Sequence, residues 1–200
     1  MKKFLVLFFF LSAIQCFGQL NEKFINLTAK YSVGKIDTVI YNNFSFTGEI
    51  ILHKYVGVNY NFDYLLRNDN VRHIHSSMGL IGGPILIGAG FSNLFDGDST
   101  SKGTMILVGI AILALPDGVS FHIPASYKID VSPYANVLGL DFIKNRTTNQ
   151  SYLKYAASFG VKTTYLFNEK FTLAGFVETR KTAGMLWGIG GGIGVGMAFD

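Results

Sequence analysis

The sequence predicts an all-β chain, an eight-stranded antiparallel up-and-down β-barrel with an apolar, helical hairpin inserted between strands 3 and 4. Three observations lead there. Side-chain polarity alternates with a period of two over most of the chain, as it does when successive residues face opposite sides of a strand. The alternating segments are joined by connections that read as long, short, long, short. One connection, 68–117, contains two nearly uninterrupted apolar runs around a polar tip.

Composition narrows the class first. The chain has 200 residues, of which 49% are hydrophobic and only 15% charged, against roughly 25% charged in an average globular domain. So much Val, Ile, Leu and Phe excludes intrinsic disorder. The net charge is +4, and two of those charges, Lys2 and Lys3, belong to an export signal. Without them the balance is too even for a nucleic-acid-binding surface.

Residues 1–18 have the layout of a signal peptide. Met1-Lys2-Lys3 is the basic start, Phe4 to Ala13 the apolar stretch, and Cys16-Phe17-Gly18 offers small residues where a signal peptidase reads, with cleavage expected before Gln19. The apolar stretch is short for a transmembrane helix. A lipidated Cys16 is disfavoured by Gln15, which stands where such sites carry a small residue. Cys16 is the single cysteine, so the segment 19–200 is expected to form one domain free of disulfides and cysteine-ligated metal.

The strands follow in order. Ile25, Leu27, Ala29, Tyr31 and Val33 alternate with Asn26, Thr28, Lys30 and Ser32. Phe44, Phe46, Ile50 and Leu52 alternate with Ser45, Thr47, Glu49 and His53. Val56 to Tyr64 forms the third strand and Val119, Phe121 and Ile123 the fourth, facing away from Ser120 and His122. Tyr127 to Val137 and Leu153 to Phe167 supply the fifth and sixth. Phe171 to Arg180 is the seventh. The eighth sets Trp187, Ile189, Ile193, Val195, Met197 and Phe199 against glycines at 188, 190, 192, 194 and 196. The expected long connections are 34–43, 68–117, 145–150 and 181–184.

Either a membrane barrel, oily outside, or a soluble lipocalin-like barrel, oily inside, alternates in this way. Three features favour the membrane. The oily faces carry no charge, and an Arg or Lys at the bilayer midplane costs about 2–4 kcal/mol. Tyr and Trp lie near strand ends. The alternating glycines of the last strand would weaken a water-exposed strand, yet make room for long side chains in a crowded lumen. The opposite face carries Lys30, Glu49, Asp63, Lys128, Asp130, Lys154, Lys162, Glu178 and Arg180.

With these patterns the chain resembles the small eight-stranded outer-membrane proteins of Gram-negative bacteria, the transmembrane-domain and virulence-related type. The ending Gly194-Val195-Gly196-Met197-Ala198-Phe199 is similar to the C-terminal signal read by the barrel-assembly machinery, with Asp200 as a departure. The resemblance implies an outer-membrane location, lipids as surroundings and the assembly machinery as a partner during biogenesis. It implies no cofactor and leaves the oligomeric state unknown.

The apolar runs Met78–Phe91 and Met105–Leu115 flank a polar tip at 96–103. Each is too short to cross a bilayer as a helix. Gly79 and Gly83 would let two helices approach closely. Such a hairpin either plugs the barrel mouth, lies in the outer-leaflet interface or forms two extra strands.

Candidate chemistry is sparse. His73 and His75 open the insertion and read as a surface pair, because nothing adjacent completes a metal site. Ser120 and His122 share an inward face, and Glu178 is the nearest candidate acid. Outer-membrane lipid A deacylases and acyltransferases use Ser, His and an acidic partner, but no nucleophile motif surrounds Ser120. The leading reading is a non-enzymatic barrel with a side-chain-filled lumen, acting structurally or through its loops and hairpin on lipids or partners. A lipid-modifying enzyme and a secreted lipid-binding barrel are the alternatives.

Overall fold

A computed structural model describes residues 23–93 and 99–200. The expected export signal, residues 1–18, and part of the polar tip lie outside them.

Ten strand segments build the wall: β1 (Ile25–Ile36), β2 (Val39–His53), β3 (Val56–Arg67), β4 (Val71–Ser77), β5 (Gly118–Phe121), β6 (Ile123–Ser126), β7 (Ile129–Asn145), β8 (Gln150–Leu166), β9 (Phe171–Thr182) and β10 (Gly188–Phe199). Two helices, α1 (Met78–Asn93) and α2 (Ser99–Leu113), fall between β4 and β5. All pairings are antiparallel, and the sheet closes on itself through β1–β10 and β2–β3. Closure pairs the strands on both sides around the waist, which is what a β-structure needs where water cannot satisfy its backbone.

The ring has eight staves because one of them is shared by β6, which pairs with β7, and by β4 and β5. The latter two run antiparallel to β3 on one side and to β7 on the other. Phe62 pairs with Ser76 and Asn59 with Gly118, so Ser77 and Asp117 occupy consecutive positions on the same stave. The backbone bonds agree: Asp117 N–H donates to Asn59 C=O at 2.7 Å, while its own C=O accepts from Val137 and Leu138. On the β7 side the register slips between Asn136 and Gly139, a bulge that absorbs the break.

The hairpin is therefore spliced into the middle of the fourth stave, after a strand that the sequence reading assigned to the 68–117 connection. Residues 68–77 are a tight turn and strand β4. That strand was hidden because its outward positions, Arg72, Ile74 and Ser76, include a single apolar residue. The supposedly long connections 34–43 and 145–150 also shrink, and the one expected at 181–184 moves further along the chain. The turns lie at 37–38, 68–70, 146–149 and 183–187, with Asp37, Asn70, Asn149 and Gly184 at positive φ, a conformation that Asn, Asp and Gly tolerate best.

These strands run past their expected ends because polarity inverts at the rim. Near the loop end Lys35 and Asn42 face outward, while Ile36, Tyr41, Leu65, Val71 and Ile143 are buried inside. At the other end Leu166 and Ala198 pack together within the lumen. The seam between first and last strands closes with Phe24 N–H donating to Phe199 C=O and an ion pair, 2.7 Å, from Lys23 to Asp200. Asp200, the departure from the expected ending, thus has a structural partner.

Around the waist the outward side chains are apolar and uncovered. Ile193 is 72% exposed and Val195 61%. Phe46, Phe62, Phe159, Leu173 and Val177 stand out on other staves. Trp187, just before β10, meets Phe159 with ring centroids 6.3 Å apart.

Candidate functional site

Inside the wall the picture reverses, and the inward charges form two networks. The first is centred on Glu49, which is 1% exposed. Lys162 Nζ donates to Glu49 Oε2 at 2.9 Å, Asn26 Nδ2 donates at 3.3 Å, and Ser120 Oγ donates to Oε1. His122 Nε2 lies 3.2 Å from the same carboxylate, while its Nδ1 is 2.8 Å from Asp130 Oδ2. Ser132 Oγ in turn donates to Asp130.

The second network is centred on Asp141. It receives Arg180 Nη2 at 2.7 Å, Thr182 Oγ1 at 2.5 Å, and the Nδ1 atoms of His75 and His73 at 2.8 and 3.4 Å. Arg180 Nη1 reaches across to Asp63 Oδ2 at 3.0 Å, and Ser45 Oγ donates to the same side chain. One guanidinium thereby ties β9 to β7 and β3. Charged groups withdrawn from water need such partners, since breaking a buried pair costs about 3–5 kcal/mol.

Asp117 joins this network to the breach in the fourth stave. Its Oδ2 accepts from Asn61 Nδ2 at 2.7 Å and lies 3.3 Å from His75 Nε2. The chain comes back from the hairpin at this residue, and its carboxylate turns inward and fills the gap.

The predicted site residues are thus distributed. Ser120 and His122 do come together, but through Glu49, whose Oε1 accepts the hydrogen bond that a nucleophilic serine would donate to the imidazole. Glu178 stands apart and accepts from Tyr134 Oη at 2.9 Å. His73 and His75 are not a surface pair: both point into the lumen and are almost wholly buried. Of the expected polar face, Lys128 and Lys154 are exposed at a turn and on the protruding end of β8. Sequence reasoning passed over Asp117 and Asp141 as partners. The signal for Asp141 was its place two residues from Ile143 and Gly139 on an alternating strand; Asp117 read as a helix stop.

The remaining space is small. Lys30, Thr47, Asn59, Asn61, Tyr134 and Lys162 line a void of about 10 Å³, room for one water molecule. The glycines of β10 serve the same filling. A Cβ on Gly190 would lie 2.5 Å from Tyr41 Oη, and one on Gly194 would lie 2.9 Å from Lys30 Cγ.

Outside the wall stands the hairpin. Leu80, Ile85, Leu107, Ile110, Leu113 and Leu115 are all exposed. The two helices pack on each other, and beyond that α1 meets β4 and β7 at its root. A Cβ on Gly83 would sit 2.6 Å from Leu113 Cβ, one on Gly79 2.7 Å from Ile112 O, and one on Gly109 2.8 Å from Ile87 N. Gly79 and Gly83 thus permit the close approach that their spacing predicts. At the base, Tyr60, an outward residue of β3, donates its hydroxyl to Ala114 C=O at 2.8 Å. The hairpin therefore leaves from the outer surface of the wall, and the expectations of a mouth plug or two added strands give way to a helical arm.

No family model matches the chain, and no curated protein matches it. Solved structures do. The N-terminal β-barrel domain of Pseudomonas aeruginosa OprF is 12% identical, with a TM-score of 0.50, over 87% of this chain and 97% of that one. Ail, the attachment invasion locus protein of Yersinia pestis, is 11% identical with a TM-score of 0.49, over 88% and 96%. Neisserial surface protein A is 6% identical with a TM-score of 0.49, over 88% and 94%. At 12% identity the likeness to the OprF domain is one of fold, and that fold is a small outer-membrane β-barrel.

Proposed function

We propose that this protein is an integral outer-membrane barrel with a closed lumen, acting as a membrane-anchored scaffold through its contacts with lipids rather than as a channel. One observation carries this reading: apolar side chains stand uncovered on the outside while Glu49, Asp141 and Arg180 are buried within. In water that inversion would expose the chain's greasiest surface and sequester its charge, against both the hydrophobic effect and the cost of desolvating ions. In hydrocarbon both terms change sign. Eight strands enclose only enough space for side chains, and the two charge networks fill it. The barrel-assembly machinery is the partner proposed for insertion, with Phe199 near the C-terminus as its recognition aromatic.

The test is extraction and migration. Expressed with its leader, the protein should sediment with outer membranes, resist carbonate and high salt, and require detergent for release. Unboiled samples should migrate differently from boiled ones on denaturing gels. A freely soluble product carrying an apolar ligand would overturn the membrane reading in favour of a lipid-binding barrel.

A further inference from the structure

The hairpin breaks out of the barrel wall at neither rim. Its two ends, Ser77 and Asp117, lie opposite Asn61 and Tyr60 on β3, a strand that runs from Val56 to Arg67. With about 3.3 Å per residue and a tilt near 40°, the root lies roughly 10–15 Å from either end of that strand. An apolar belt about 25 Å tall would surround this level on all sides.

We infer that α1 and α2 form a side arm that runs within the hydrocarbon of the membrane, with acyl chains as its covering. This rests on the membrane reading above, which it deepens by assigning the hairpin's surroundings. Four observations support it. The arm departs outward, as the Tyr60–Ala114 bond requires. Its exposed side chains continue the apolar surface of the wall next to it, where Phe62, Ile74, Val119 and Leu138 are exposed. Between Met78 and Phe95, and again between Gly103 and Pro116, the sequence has no charged residue. Over 78–91 and 105–113 the sequence offers neither helix a polar face to turn toward water, so an interfacial position, which demands an amphipathic helix, does not fit.

Length then fixes what the arm can reach. Sixteen helical residues extend about 24 Å, roughly twice the distance from mid-belt to the headgroups. An arm leaving obliquely would carry the far ends of its helices to the interface while its flanks stay in the acyl region. A single helix of this length could not span the bilayer, but one that starts halfway does not need to. The glycine contacts between α1 and α2 suit this setting, because helices in lipid associate by close packing rather than by hydrophobic exclusion.

The experiment places a fluorophore on single cysteines introduced as Leu107→Cys, Ile110→Cys and Ile85→Cys on the arm, and Val195→Cys on the barrel wall, with Cys16 replaced by Ser. Each is reconstituted in phosphatidylcholine vesicles bearing nitroxides near the headgroup or deep on the acyl chain, and folding is verified by heat-shifted migration. The arm positions should be quenched several-fold more by the deep nitroxide than by aqueous iodide, as Val195→Cys should be. Quenching at Val195→Cys with iodide-accessible arm positions would overturn the arm and leave the barrel standing. Arm positions shielded from both quenchers would also overturn it, because protein rather than lipid would then cover them. No nitroxide quenching at Val195→Cys would sink the membrane reading itself.

Discussion

The wall and the arm meet an apolar solvent by opposite routes. The wall satisfies its backbone through neighbours in a closed ring, so each strand has two faces and can hide charge on one of them. The arm satisfies its backbone within each helix, and between Met78 and Phe95 and again between Gly103 and Pro116 its sequence carries no charge. Glu49, Asp141 and Arg180 are tolerated because the ring gives them an interior. The helices have no interior beyond their mutual seam, and that seam is made of Gly79, Gly83 and Gly109. A charged residue is thus an asset in the wall, while the apolar runs of the arm go without one.

The sharpest way to break the contrast is inside the ring. Arg180→Ala would leave Asp63 and Asp141 buried without their shared cation, a loss of about 3–5 kcal/mol. Urea titration of the folded barrel in detergent micelles, followed by the gel shift, should show a much lower midpoint. A midpoint unchanged from the parent would mean the network is solvated. On the outer face of the same wall, Ile193→Arg should cost about 2–4 kcal/mol near the bilayer midplane. Its effect is read as reduced insertion into vesicles, and equal tolerance of Arg at position 193 in lipid and in water would argue against lipid exposure.

Changes in the arm should be milder for the barrel. Gly83→Val forces a side chain against Leu113, an overpacking penalty of about 1–3 kcal/mol confined to the hairpin. Protease cleavage within 78–116 should rise while the barrel's migration stays put. The smallest effect on the wall is expected from the largest excision. Because Ser77 and Asp117 hold consecutive positions, joining them by deleting 78–116 should leave a continuous stave and a heat-shifted band. Loss of that band would show that the arm braces the barrel.

Much of this contrast could be read from the chain before folding. Period-two alternation marks where lipid-facing rows lie, since Leu153 to Phe167 and Trp187 to Phe199 repeat it over many residues. Charge on the opposite row announces a polar lumen. Strand ends were less legible because the rims invert the code: Ile36 and Tyr41 turn in where Lys35 and Asn42 turn out. His73 and His75 were misread as surface residues for a related reason. Their strand shows too few oily positions to declare itself, and only the pairing with β7 reveals which way they face.

Local sequence, by itself, determined the membrane-facing rows, the apolar hairpin and its glycine seam, because each depends on residues within one element. The tertiary structure alone decided which charges meet, that Glu49 stands between Ser120 and His122, and that the hairpin leaves from mid-wall. Those outcomes depend on closing the ring, which brings β3, β7 and β9 around one lumen and lets two distant segments share a stave. No period along the chain encodes a register between strands.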